Sequence, residues 1–133
     1  MSDFVTDTHA LIWYLEDSDD LGADANAAFD ACDRGESFIY IPTICLVELI
    51  YLQEKGRIPL ELKKKLDNHL RSGKTNFLIV DLSIEVVNSL EGIARETVPD
   101  LPDRIIASTA KAMGLPLLSR DRALQKSGLT IIW

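Results

Sequence analysis

Short runs rich in β-branched and aromatic residues alternate with stretches of helical periodicity along the whole chain, and this alternation constrains the fold more than any other feature. The runs FVTD (4–7), FIYI (38–41), FLIV (77–80) and LPLLS (115–119) read as strands, with TII (130–132) as a weaker fifth. Between them, ADANAAFDACD stops at Gly35, TICLVELIYLQEK at Gly56, LELKKKLDNHLRS at Gly73 and DRIIASTAKAM at Gly114, since glycine readily closes a helix. HALIWYLE follows the first strand and SIEVVNSLEGIARE the third. Helices inserted between strands favour parallel pairing, because each helix supplies the crossover, and a parallel sheet must be covered on both faces. The expected fold is a single α/β domain over residues 1–133, a sandwich on a mainly parallel sheet. At 133 residues the chain can bury about two thirds of its unfolded surface in one core.

A net charge of −7 speaks against coating nucleic acid by bulk electrostatics, which needs a basic excess. The charge is uneven: residues 55–74 carry seven of the 14 basic residues and a local +5, leaving −12 on the remainder. That segment reads either as a solvated helix face or as a phosphate-gripping surface beside an acidic pocket. No apolar run approaches the roughly 20 residues that span a bilayer, and no secretion signal opens the chain, so a cytoplasmic protein without membrane contact is expected. Cys32 and Cys45 fall in helical stretches without metal-ligand spacing and are expected to be packing thiols.

Glu48 is the anomaly. It lies in the middle of ICLVELIYL, where it cannot cap a helix, and its helical neighbours Ile44, Cys45, Tyr51 and Leu52 offer no counter-charge. A carboxylate buried without a partner costs several kcal/mol, and the nearest basic residue, Lys55, is seven positions away. Three aspartates fall where the ends of strands meet the starts of helices: Asp7 after the first strand, Asp103 opening DRIIASTAKAM, and Asp121 after the fourth strand. Taken singly, each reads as a helix cap worth about 1 kcal/mol. In an open parallel sheet, however, functional groups collect outside the carboxyl ends of the strands. A cage of Asp7, Glu48, Asp103 and Asp121 around one cation would relieve Glu48.

Carboxylate oxygens without imidazole or thiolate suit Mg²⁺ or Mn²⁺. His9 and His69 are isolated and expected at the surface or in packing, with a place near the pocket on the first helix as the alternative for His9. Such a site fits hydrolysis of a nucleic-acid backbone, with metal-bound water as nucleophile and any of the four acids able to assist as general base. No P-loop, GxGxxG or Ser/His/Asp order competes, so no organic cofactor is expected.

The motifs DTHALIWYL at Asp7, LVEL at Glu48, LPDRIIASTA at Asp103 and LLSRD at Asp121 resemble, in order and spacing, those of PIN-domain ribonucleases, most closely the VapC-type toxins of bacterial toxin–antitoxin pairs. The resemblance spans essentially the whole chain. It implies a three-layer α/β/α sandwich, an acidic Mg²⁺ or Mn²⁺ pocket, endoribonuclease activity on single-stranded RNA, homodimerisation and inhibition by a cognate antitoxin. By motif, Asp7, Glu48, Asp103 and Asp121 take the acidic positions and Ser119 the small hydroxyl position before the last acid. Asp100 reads as a cap, turn or supporting group, and Arg104 as a phosphate contact or an ion-pair partner. Residues 55–74 would form a protruding clip that grips RNA or docks the antitoxin. Trp13 and Tyr14 are expected in the core or on a dimer surface, and Trp133 closing the final strand.

Two other functions compete, and a purely structural binding module is a third option that leaves Glu48 unexplained. An RNA-processing nuclease of the same type, without an antitoxin, shares every motif. A phospho-accepting receiver would need Asp81 at the end of a central third strand.

Overall fold

The computed structural model describes residues 2–133. Five strands, β1 (Phe4–Thr6), β2 (Ile39–Pro42), β3 (Phe77–Val80), β4 (Leu117–Leu118) and β5 (Ile131–Ile132), form one sheet in the order β3-β2-β1-β4-β5. Every neighbouring pair is parallel, with Val5 beside both Tyr40 and Leu117 in the registers that fix the centre. Six α-helices provide the crossovers: α1 (Thr8–Leu15), α2 (Ala23–Asp33), α3 (Thr43–Glu54), α4 (Glu61–Ser72), α5 (Ile84–Leu90) and α6 (Leu101–Met113). A 3-10 turn at Arg122–Ser127 joins β4 to β5.

Successive strand residues point to opposite faces, so full burial of both Val5 and Thr6, and of both Leu117 and Leu118, means that helices cover the sheet on each side. This is the expected α/β/α sandwich. On α1 and α2, Leu11 and Phe29 are completely buried, and Tyr14 stacks on Phe29 at 4.4 Å and 9° while Phe77 meets both rings edge-on. Tyr14 therefore packs into the core, its hydroxyl donating to Asp33. Cys32 and Cys45 are buried and free, as expected for packing thiols. Trp133 lies against Gly22, where a Cβ would come within 2.4 Å of the tryptophan backbone, so only glycine admits this closure of the chain end.

Three details depart from the expected elements. The helix after β3 ends at Leu90 rather than continuing through residues 91–96. Gly92 accepts from the Lys111 Nζ at 2.9 Å, and a short turn buries Ile93, so tertiary contacts override the helical periodicity there. The cap of α6 is Asp100, whose Oδ2 accepts from the Asp103 N–H at 3.2 Å, while Asp103 sits in the first turn and caps nothing. Finally, β3 is an edge strand, which places Asp81 at the border of the sheet and removes the receiver reading.

Candidate active site

Chain order runs β1, β2, β3 towards one edge and then crosses to β4 on the other side of β1, so the direction reverses between β1 and β4. That reversal opens a crevice at the carboxyl ends of the two strands, where ligands bind in open α/β sheets. A cavity of about 210 Å³ lies there, with Asp7, Asp103, Ser119 and Asp121 on its walls. Three of the four predicted acids thus share one cavity. Glu48 stands beside it rather than among its lining residues, tied in through the neighbour of Asp7: the buried Thr8 hydroxyl donates to Glu48 Oε1 at 2.5 Å.

Each side chain is set by local backbone logic. Asp7 leaves β1 in an extended conformation and caps α1, its Oδ1 accepting from the Ala10 N–H at 2.8 Å. The Asp7 N–H donates to the Leu118 carbonyl at 3.1 Å, which pins β1 to β4 at the crevice. Ser119, 1% exposed, directs its hydroxyl to the Asp7 carboxylate and accepts from the Asp121 N–H at 3.1 Å. Asp121 in turn caps the 3-10 turn, accepting from Ala123 N–H at 3.0 Å. Capping was the plain expectation for Asp7 and Asp121 and it holds, yet one oxygen of each carboxylate remains outside the cap bond.

Electrostatics separates Asp7, Glu48 and Asp103 from ordinary surface carboxylates. Burial raises Asp7 above its usual range, with the Asp121 charge adding to the effect and the bonds from Ala10 and Ser119 opposing it. Burial likewise raises Glu48; the Thr8 hydroxyl counteracts this and Asp100 and Asp7 reinforce it. Asp103 is pushed up to about 7, first by desolvation of its carboxyl and then by Asp100, Glu48 and Asp7. The two salt bridges among the described residues, Arg34–Glu36 and Lys63–Asp67, lie elsewhere, so none of these acids is paired with a cation.

Two expectations change here. Glu48 is partly buried rather than sealed, on a stretch of α3 where Val47 and Tyr51 are 48% and 60% exposed. Arg104 pairs with no acid: its Nε donates to Ile93 O at 2.9 Å and its Nη2 to Leu90 O at 3.1 Å, clamping the end of α5 and the turn beyond it. The cavity also contains His9, in the alternative place given to it, and Trp13 and Arg120, which were not expected in the site. Their signal was in the spacing, since His9 and Trp13 are one helical turn apart behind Asp7 and Arg120 lies between Ser119 and Asp121.

The PIN domain family model matches residues 4–128, nearly the whole chain. The chain belongs to the PIN domain family. Among solved structures, this PIN domain is similar to VapBC2 from Rickettsia felis bound to a DNA fragment from their promoter, at 19% identity and a TM-score of 0.73 over 97% of this chain and 96% of that one. It is similar to DNA-bound VapBC from Salmonella typhimurium at 21% identity and a TM-score of 0.68, covering 98% and 97% of the two chains. FitAcB from Neisseria gonorrhoeae follows at 19% identity and a TM-score of 0.63 over 96% and 95%. At these identities the likeness concerns the fold. Among curated proteins, none matches this sequence.

The donor set of this PIN domain suits a hard divalent cation in kind: oxygen ligands only, negative, partly desolvated and without a cationic partner. Its spacing is not a closed cage. As the side chains stand, no three His, Cys, Asp or Glu residues among the described residues form a group that could hold a metal ion. Asp103 and Asp121 are exposed and joined to the backbone by rotatable bonds, so an ion would have to draw them inwards.

Proposed function

We propose that this PIN domain is a Mg²⁺- or Mn²⁺-dependent endoribonuclease and the toxin of a toxin–antitoxin pair, acting in the cytoplasm. The observation that carries the reading is the group of uncompensated acids at the crevice between β1 and β4, with Asp7, Asp103 and Asp121 on the cavity wall and Glu48 attached through Thr8. Asp7, Glu48, Asp103 and Asp121 would hold the ion. When bound, a divalent ion polarises a phosphodiester oxygen and lowers the pKa of bound water.

The remaining chemistry belongs to the chain. Ser119 and the Ala10 N–H fix the orientation of Asp7, and Thr8 fixes Glu48. Asp103, pushed up to about 7 in the metal-free chain, would have to give up its proton to join the ion. Asp100 supports Asp103 from the cap of α6. An antitoxin partner is supported by the likeness in fold to a structure described as a toxin-antitoxin complex from Klebsiella pneumoniae, at 22% identity and a TM-score of 0.56. Homodimerisation is supported by large apolar side chains left open on α3 and from β3 into α5. No helix among the described residues is long and apolar enough to cross a membrane.

The test is cleavage of a labelled single-stranded RNA by purified protein with Mn²⁺, with Mg²⁺ and with chelator. Asp7→Asn and Glu48→Gln are each expected to lower the metal-dependent rate by on the order of 100-fold or more while the fold survives, because losing one charge eases carboxylate repulsion. Millimolar Mn²⁺ should raise the melting temperature of the wild type and not that of Asp7→Asn. Unchanged cleavage in both variants, or cleavage indifferent to chelator, would refute the reading.

A further inference from the structure

The cavity has a second wall that the proposed hydrolysis does not use. His9 and Trp13 lie on one face of α1, the helix capped by Asp7, with ring centroids 5.6 Å apart at 49°. Trp133 meets Trp13 at 5.6 Å and 66°, bracing the indole at the end of the chain. The Arg120 guanidinium lies over the indole, 5.0 Å from its centroid. Rings placed only to fill a core would be sealed, but His9 and Arg120 are exposed, Trp13 is half-buried, and all three face the cavity that holds Asp7 and Asp121.

We propose that His9, Trp13 and Arg120 form a stacking platform for one unpaired nucleobase of an RNA strand, beside the phosphodiester presented to the acidic wall. The identity of the strand rests on the nuclease reading above. A flat heteroaromatic ligand matches this wall because Trp, His and guanidinium planes all stack on bases, whichever base it is. The charges agree as well. The acids repel a polyanion, and Arg120 places a positive group on the wall of the same cavity. The two walls are joined covalently at short range: α1 carries Asp7 and both rings, and Arg120 directly precedes Asp121, so a stacked base would fix the position of the neighbouring backbone relative to the carboxylates.

The experiment compares a short single-stranded oligoribonucleotide with versions that each carry one abasic ribose. Binding is measured by fluorescence anisotropy on chelator-treated protein, and cleavage is measured with Mn²⁺. Wild type should lose on the order of 10-fold in affinity when the base at one particular position is removed. Trp13→Leu, His9→Ala and Arg120→Ala should each reduce that discrimination, and Trp13→Phe should keep it. Because His9 and Arg120 are exposed, their variants decide the matter even where Trp13→Leu does not fold. Equal binding of all strands by wild type, or discrimination untouched in every variant, overturns the platform. Metal-dependent cleavage with no base dependence at any position sinks the platform and leaves the nuclease standing. Base-dependent binding without metal-dependent cleavage supports the platform and sinks the nuclease. Variants that lose only antitoxin capture, with RNA handling unchanged, would assign the rings to a protein partner and overturn the inference.

Discussion

Thr8 shows how a single hydroxyl governs the site. It is buried, follows the capping acid directly, and donates at 2.5 Å to a carboxylate forty residues away in sequence. Thr8→Val keeps the shape and removes the donor, leaving Glu48 more strongly disfavoured as an anion; support of this kind is worth about 10- to 100-fold in metal affinity or activity. An Mn²⁺ titration of the cleavage rate should show the midpoint shifting upwards by that order, and an unchanged midpoint would remove Thr8 from the site. Asp103 makes the second residue-level case. Its carboxyl, ordinarily near 3.8, is pushed up to about 7, so the folded state holds the proton more tightly than the unfolded chain does. Its stabilising contribution is complete below the unfolded value and is lost as pH rises through the folded one, so metal-free stability falls between roughly pH 4 and 7. Asp103→Asn cannot titrate. In chelator it should melt above the wild type at about pH 8 and close the gap towards about pH 5. A gap that widens on acidification would contradict the desolvated, repelled state described for Asp103.

The α5–α6 pair carries the element-scale argument, because Arg104 acts there as a clamp. The carbonyls of Leu90, the last residue of α5, and of Ile93 in the turn beyond it accept from its guanidinium, and Arg104→Met should cost about 1–3 kcal/mol of stability for two charge-assisted bonds. A phosphate-binding arginine would instead weaken RNA binding with little change in the urea midpoint. Comparing urea unfolding with specific activity per folded molecule therefore separates the two roles, and a stable but inactive Arg104→Met would restore the phosphate assignment. Elements of this kind mark where sequence reading succeeded and where it stopped. The sheet was legible because alternation, Gly stops and β-branched runs are local signals, and Asp7 and Asp121 were legible because a strand end meeting a helix start is also local. The truncation of α5 was not, since it depends on Lys111 reaching back to Gly92 and on burial of Ile93, contacts between distant segments. Nor was the cap at Asp100 separable from Asp103, since each acid directly follows a proline, Pro99 and Pro102. The half-open setting of Glu48 was misjudged for a related reason: an apolar helix reads as buried, and only the packed structure shows that α3 leaves Val47 and Tyr51 uncovered.

At the scale of the molecule those uncovered residues require an explanation, because isolated domains rarely leave many large apolar side chains in water on regular elements. They concentrate on two stretches: Val47, Ile50 and Tyr51 on α3, and Leu78, Ile79, Leu82, Ile84 and Val87 from the edge strand β3 into α5. The edge strand adds unpaired backbone groups to the second stretch, and a second copy of the chain or another subunit is the usual way to cover such a border. Ile84 and Val87, 66% and 45% exposed, lie one turn apart on α5, and neither lines the cavity. Introducing Ile84→Glu together with Val87→Glu should therefore convert a dimer into a monomer in sedimentation velocity at micromolar concentration while the Mn²⁺-induced rise in melting temperature persists. A wild type that sediments as a monomer would show that these side chains are kept for another partner. A monomeric variant that also loses the metal response would show instead that the crevice between β1 and β4 is shaped by the dimer contact, making assembly and chemistry one property of the fold.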